Sequence, residues 1–251
     1  RSRLNEPKEL GKLLLHLFVP IAIIHIQGDD GTAIIYGIIG CCMLFAAGLS
    51  WKYIVGAASA LAAAMAVAFA FFSDKIGKGY QWYRILAVID PNNETGWAPS
   101  ETVWKNIIYQ QQRGEIAIGS GGLLGRGLGN GLQKQLYLPE PHNDFIFATW
   151  CEEMGLIGAL LVILLFAYLI YRGFRVARYA PDKFGSLLAT GITAKLAIQT
   201  LMNLFVVTGI MPVTGAALPF FSYGGTALSI QLAEMGIVLS VSRQMKPTKA
   251  G

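Results

Sequence analysis

The stretch Pro139-Glu140-Pro141-His142-Asn143-Asp144-Phe145-Ile146-Phe147 sets a carboxylate between a stiffened segment and a long apolar run. Two prolines keep the approach extended, and Asp144 stands where a helix would enter a membrane at its outer water interface. A carboxylate there has two uses. As an N-cap it satisfies the first helical N–H groups and stabilises by about 1 kcal/mol. At the rim of an apolar cavity, partial desolvation favours the protonated form of such a group and suits it to general-base work. His142 could assist proton transfer, or be simply a solvated loop residue.

Residues 119–131 read GSGGLLGRGLGNG, seven glycines in thirteen. No Gly-Lys-Ser/Thr follows, so this is not a P-loop, and no strict G-x-G-x-x-G pattern occurs. One reading is a close backbone approach to a phosphate-bearing ligand, with Arg126 and Lys134 adding positive charge. The other is a tight turn between surface segments.

Ionisable groups inside apolar helices are costly, so each needs a partner or a function. Lys195, Gln199 and Asn203 recur at every fourth position and make one polar stripe. Glu234 lies midway along the last apolar run, and Glu152 and Glu153 lie two turns past Asp144. Lys195 is expected to pair with Glu234 or with one of those two glutamates. A proton or ion pathway is the competing reading of the stripe. Residues 209–226, GIMPVTGAALPFFSYGGT, break helix at Pro212, Pro219 and Gly224-Gly225 and leave irregular backbone that needs partners or a water-filled cavity. The Gly-rich loop, the Asp144 segment and this hairpin can converge on one face. Glu140, His142, Lys195, Gln199, Asn203 and Tyr223 are the candidates there for substrate contact.

The elements that must position these groups follow from composition. Of 251 residues, 54% are hydrophobic and only 14% charged. A soluble domain carries about 25% charged residues. The chain therefore reads as an all-α polytopic membrane protein with one transmembrane domain. Six apolar stretches approach or reach spanning length, at about 10–27, 32–49, 53–72, 145–171, 184–209 and 226–243, each boundary good to roughly ±4 residues. Twelve of the twenty Lys and Arg residues fall in the short pieces 1–12, 50–52, 172–183 and 243–251. That asymmetry puts both ends in the cytoplasm and residues 73–144 outside as one large extracytoplasmic loop. Within it, Ser100 could cap a helix running to about Arg113. Its Val103, Trp104, Ile107 and Ile108 face would lie on the bilayer with Trp82 and Trp97 nearby, or pack on the helix bundle. Cys41, Cys42 and Cys151 have neither metal-site nor disulfide spacing. The chain starts at Arg1 with no signal-peptide pattern, and reads as a fragment.

Several motifs carry a resemblance. LPEPHNDFIFATWCEEMG at 138–155 and MPVTGAALPFFSYGGT at 211–226 resemble signatures of the SEDS family (shape, elongation, division and sporulation proteins) of RodA/FtsW/SpoVE type. The match continues through IAIGSGGLLGRGLGNGLQKQLYLPE at 116–140, IDP at 89–91, and QGDDGTA at 27–33. Departures are modest: Asn143, Cys151 and Thr226 replace Thr, Gly and Ser, and Gly28 and Asp30 stand where Pro and Leu are usual. Asp29 and Asp30 could then bind a cation, or sit in a solvated turn.

The resemblance implies a ten-helix fold of which this chain is helices five to ten. It also implies a glycosyltransferase that polymerises lipid II into glycan strands beside a class B penicillin-binding protein acting as transpeptidase. The family's essential aspartate falls on Asp144. Arg84, Arg126, Lys134 or a divalent cation (Mg or Mn) would stabilise the departing lipid diphosphate, and no nucleic acid is implied. A lipid II flippase is the runner-up, favoured by the intramembrane stripe and separated by whether the essential residue is Asp144 or Lys195. A non-enzymatic scaffold for cell-wall enzymes is the third reading.

Overall fold

The computed structural model describes residues 7–50, 52–53, 55–56, 80–96, 101–135, 137–139 and 141–245, and every regular element among them is helical. Seven α-helices follow in order: α1 (Pro7–Ile26), α2 (Asp30–Ala47), α3 (Tyr80–Ile89), α4 (Glu101–Gly121), α5 (Ile146–Tyr179), α6 (Lys183–Val207) and α7 (Gly225–Arg243). A short 3₁₀ turn (Gln133–Gln135) lies between α4 and α5. Among the described residues α5, α6 and α7 are long and apolar enough to cross a membrane, and Gly11–Ile26 and Gly31–Ala47 are shorter apolar helices. The expected span at 53–72 lies almost wholly outside the described residues.

The chain divides into two compact units, Arg1–Ile54 with Ile163–Thr200 and Tyr223–Gly251, and Val55–Val162 with Leu201–Ser222. Helices α5 and α6 each contribute to both.

In the first unit α1 and α2 form a hairpin turned at Gly28. Asp29 Oδ1 accepts the Thr32 amide at 3.0 Å and caps α2. The proposed cation ligand is thus a helix cap, because that carboxylate is the nearest acceptor for an orphan N–H. At the other end Gly48 adopts the left-handed conformation (φ 98°), and the Leu49 amide reaches back to the Leu44 carbonyl at 3.0 Å. That wrap needs a residue without Cβ. Pro181 closes α5, and Asp182 Oδ2 takes the Gly185 amide at 3.1 Å to open α6. Gly173 lets Thr193 close against α5, a small-residue contact of the sort that holds helices together where water supplies no drive.

Lys195 of α6 pairs with Glu234 of α7. Both side chains are mostly enclosed, at 33% and 25% exposure. Lys195→Met leaves a carboxylate without its cation. It is expected to cost about 2 kcal/mol, between the values for exposed and buried pairs. A thermal melt in detergent checks this, and Lys195→Met/Glu234→Gln should recover part of the loss.

In the second unit α3 packs on α4 through Leu86, Ala87, Trp104, Ile107 and Ile108, all buried. The apolar face of α4 is therefore spent on protein, not on lipid. The helix also runs eight residues past the expected end at Arg113, because its buried stripe continues through Gly114, Ala117 and Gly121 at helical spacing. Phe145, with no exposed surface, fills the space over Gly114.

Helix α5 is not the single straight span expected at 145–171. Gly155 (φ 65°, ψ −167°) breaks it, and the helix resumes to Tyr179. Residues 154–171, between Glu153 and Arg172, are eighteen without a charge. At about 1.5 Å per residue they extend roughly 27 Å.

Candidate functional site

The break in α5 is closed from outside the helix. An unbroken helix would bond the Leu156 amide to the Glu152 carbonyl and the Ile157 amide to the Glu153 carbonyl. Here the Glu152 carbonyl accepts from the Arg126 amide at 3.0 Å, and that of Glu153 from the Gly127 amide at 3.0 Å. The two orphaned amides are taken by the same loop, Leu156 by the Gly122 carbonyl at 2.9 Å and Ile157 by that of Leu123 at 3.3 Å. Every backbone group the break releases on these four residues is satisfied, as a low-dielectric setting demands. The glycines of 119–131 are thus used for close approach to a helix of the same chain. A Cβ on Gly121 would overlap the Cys151 carbonyl, and one on Gly125 the Glu153 carbonyl.

The same loop absorbs both glutamates. Glu152, with no exposed surface, accepts from the Leu132 amide at 2.9 Å, the Gln133 amide at 3.1 Å and the Ser120 hydroxyl at 3.4 Å. Glu153 accepts from Lys134. Arg126 Nε lies 4.0 Å from Glu152 and 3.4 Å from the Ser120 carbonyl. Lys134, expected to face a ligand, thus pairs with a carboxylate of its own chain, and Arg126, 38% exposed, bonds the Ser120 carbonyl beside Glu152.

Asp144 sits elsewhere in this unit. The Thr149 amide bonds to the Phe145 carbonyl at 3.2 Å, so Phe145 holds the N-cap position and Asp144 stands one residue before it. Two side chains tie it to the 209–222 hairpin. Asn203 Nδ2 donates at 2.7 Å to both the Asp144 and the Ala216 carbonyls, and Asn203 is fully buried. Ser222 Oγ donates to the Asn143 carbonyl at 2.8 Å and accepts the Leu218 amide at 2.7 Å. The result brings Gly215, at φ 76°, against the carboxylate, where an added Cβ would come 3.6 Å from Asp144 Oδ2. Beside it the Thr214 hydroxyl is buried with no hydrogen-bond partner among the described residues.

Arg84 Nη1 donates to the Val213 carbonyl at 2.8 Å, on the same hairpin. It lines a small cleft with Asn106, Gln110 and Gln111. Of the three basic candidates, Arg84 is the one whose hairpin also meets Asp144. His142 is exposed and Glu140 lies outside the described residues. Lys195, Gln199 and Tyr223 belong to the other unit, Tyr223 at 85% exposure. Asn203 shares their helix but works as a clamp on two carbonyls. Among the described residues no three His, Cys, Asp or Glu side chains gather to hold a cation.

Asp90, in the IDP motif, holds the loop after α3. Its carboxylate accepts the Thr95 amide at 2.9 Å, the Thr95 hydroxyl at 2.7 Å and the Glu94 amide at 2.9 Å. These bonds, that of the Thr95 amide foremost, hold the carboxyl below the usual carboxylate range. A lowered value means the loop's stabilisation is present above the ordinary Asp value, about 3.9, and is lost as pH falls through the folded value. The protection factors of the Glu94 and Thr95 amides, taken against intrinsic exchange at each pH, should be high at neutral pH and fall below that value. Asp90→Asn should remove the pH dependence.

Ser222 and the Gly155 break were not legible as functional in the sequence. Ser222 carries no periodic signal, and one glycine in a long apolar run is usually tolerated within a helix.

A family profile described as "Cell cycle protein", that of FtsW, RodA and SpoVE, matches residues 1–247. The chain belongs to this family. It is 41% identical over 232 residues to the "Probable peptidoglycan glycosyltransferase FtsW" of Geobacter metallireducens, covering 92% of this chain and 58% of that protein. It is 39% identical over 240 residues to the "Peptidoglycan glycosyltransferase MrdB" of Escherichia coli K12, covering 95% and 61%. The Bacillus subtilis "Stage V sporulation protein E" is 54% identical over 127 residues, covering 51% and 35%. Among solved structures, a chain of a peptidoglycan synthase complex, described for the coordination of polymerization and crosslinking, matches with a TM-score of 0.72 at 28% identity, covering 97% of this chain and 64% of that one. The RodA of Thermus thermophilus matches with a TM-score of 0.60 at 25% identity, covering 97% and 59%. The SEDS chain thus spans about three-fifths of the length of the relatives it matches first, and like them it is a multi-pass membrane protein.

Proposed function

We propose that this SEDS chain carries the catalytic part of a peptidoglycan glycosyltransferase that polymerises lipid II, with Asp144 as its base. The observation that supports it is a carboxylate facing Gly215 of an irregular hairpin, with the backbone of Asn143 and Asp144 clamped to that hairpin by Ser222 and Asn203. The curated relatives named as peptidoglycan glycosyltransferases are 39–41% identical, which favours the same chemistry here.

In this reading Asp144 removes the proton from an acceptor sugar hydroxyl. The oxygen forms its bond to the donor's anomeric carbon as the bond to the lipid diphosphate breaks, and the diphosphate leaves with the electron pair. Configuration inverts. One base suffices, because the leaving group needs no protonation. Arg84 is the cation nearest in connectivity to receive the diphosphate. A divalent cation, if used, would be held chiefly by substrate phosphates and water, as Mg²⁺ usually is.

The rest of the reading follows. The chain forms helices five to ten of a ten-helix bundle in the bacterial plasma membrane. Its ends are cytoplasmic, residues 73–144 are extracytoplasmic, and a class B penicillin-binding protein is its transpeptidase partner. The solved relative in a peptidoglycan synthase complex is consistent with such a partner.

The test is a polymerisation assay with the full chain, partner present, supplied with lipid II and divalent cation. Glycan polymer on a gel supports the proposal. Translocation of lipid II across vesicles without polymer makes the chain a flippase and overturns it.

A further inference from the structure

The Gly-rich loop carries a feature that catalysis does not use. Leu123, Leu124, Leu128 and Leu132 are 68%, 79%, 69% and 51% exposed. From Ile116 to Gln133 the sequence holds a single charged residue, Arg126. Leucines that open to water at such density on a soluble loop would mark an interaction surface.

What covers them follows from where the loop is tied. Its backbone is bonded to α5 at Glu152, Glu153, Leu156 and Ile157. Those residues straddle the start of the eighteen-residue uncharged run that ends at Arg172. A run of roughly 27 Å nearly matches the hydrocarbon thickness of about 30 Å. The break at Gly155 therefore lies at one boundary of the hydrocarbon, and a loop bonded there cannot stand off in water. The leucines are also continuous with the exposed face of α5. Leu156, Ile157, Leu160 and Leu161 are 49–60% exposed, and the Leu123 carbonyl is bonded to the Ile157 amide within that face. A helix face of this composition suits contact with lipid. Arg126 fits the same setting, its side chain 38% exposed and its guanidinium bonded to the Ser120 carbonyl beside Glu152.

We propose that residues 122–132 insert into the bilayer, with Leu123, Leu124 and Leu128 among the acyl chains of the leaflet that adjoins Glu153. That this is the outer leaflet rests on the orientation given under the proposed function; the insertion itself does not. The loop is then a membrane-embedded brace for the broken helix, and the α4 face expected on the bilayer gives that place to the Gly-rich loop.

The experiment is spin labelling of the full chain in phosphatidylethanolamine–phosphatidylglycerol vesicles. Cys41 and Cys42 are replaced by Ala, and buried Cys151 is kept, with a chain bearing no added cysteine as background. Single cysteines at Leu124, Leu128, Asn130 and Leu161 carry the nitroxide, and collision rates with oxygen and with a water-soluble nickel chelate are compared. Leu124 and Leu128 should give the high oxygen-to-nickel ratio of Leu161, and Asn130 the low ratio of a watery site. Ratios at Leu124 and Leu128 equal to that at Asn130 would overturn the proposal. So would immobile labels shielded from both reagents, which would mean that protein covers the loop. Should a labelled chain fail to melt cooperatively, Leu124→Trp and Leu128→Trp with acyl-brominated lipids give the same readout through quenching. Depth is read without any catalytic assay, so this result and that with lipid II can fail separately.

Discussion

Asp144→Asn should cut glycan polymerisation by about 10²–10⁴-fold, the usual contribution of a positioned general base, while the protein melts near the parent temperature. The amide keeps the size and shape of the carboxylate but has no basic oxygen to receive the acceptor's proton. The bond that ties this residue to Asn203 runs through its backbone carbonyl, which the substitution leaves in place. Asn203→Ala is the informative companion. It strips a donor from two carbonyls at once, those of Asp144 and Ala216, and leaves a space at a fully buried position. A loss of roughly 2–3 kcal/mol in stability should accompany its loss of activity. The two variants then separate the proton acceptor from the group that holds it: activity without stability in one, both in the other. Parent-level polymer from a folded Asp144→Asn would remove Asp144 as the base.

Gly125→Val should be the most damaging single change outside that carboxylate, at roughly 4 kcal/mol or more, the range reserved for broken backbone networks. Gly125 has φ +79°, which valine adopts only under strain. Its Cβ would overlap the carbonyl of Glu153 and come 2.7 Å from the Gly155 amide nitrogen. Both are backbone atoms that cannot rotate aside. The loop would have to lift from α5, opening the four bonds that replace the broken helical pair. Each buried group left unpaired costs about 1–3 kcal/mol. The control is Gly129→Ala. Its φ is +83°, yet nothing lies within 4 Å of an added Cβ, so it should cost only about 1 kcal/mol of backbone strain. Membrane abundance and detergent melts of the pair are the measurement. Equal behaviour would mean that the loop does not hold the helix.

The helices α1, α2, α6 and α7 were legible because an apolar helix is specified locally, by an uninterrupted apolar run and polar groups at its ends. Asp182 and Gly48 punctuate such runs within a few residues of the ends they set. Family membership was legible for a similar reason, since its motifs are contiguous words. The tertiary structure decided the rest. Gly155 is a helix break only because residues 122–127, about thirty positions earlier, supply the hydrogen bonds that make a break tolerable. Lys134 and Arg126 read in sequence as charge for an anion, and only the structure shows Glu153 and Glu152 folded into the same loop beside them. Asn203 belongs by spacing to a stripe with Lys195, but its amide NH2 is bonded to carbonyls from two other segments. Which polar group satisfies which is a matter of long-range proximity, and where unpaired groups are costly that pairing, more than periodicity, determines what each residue is left free to do.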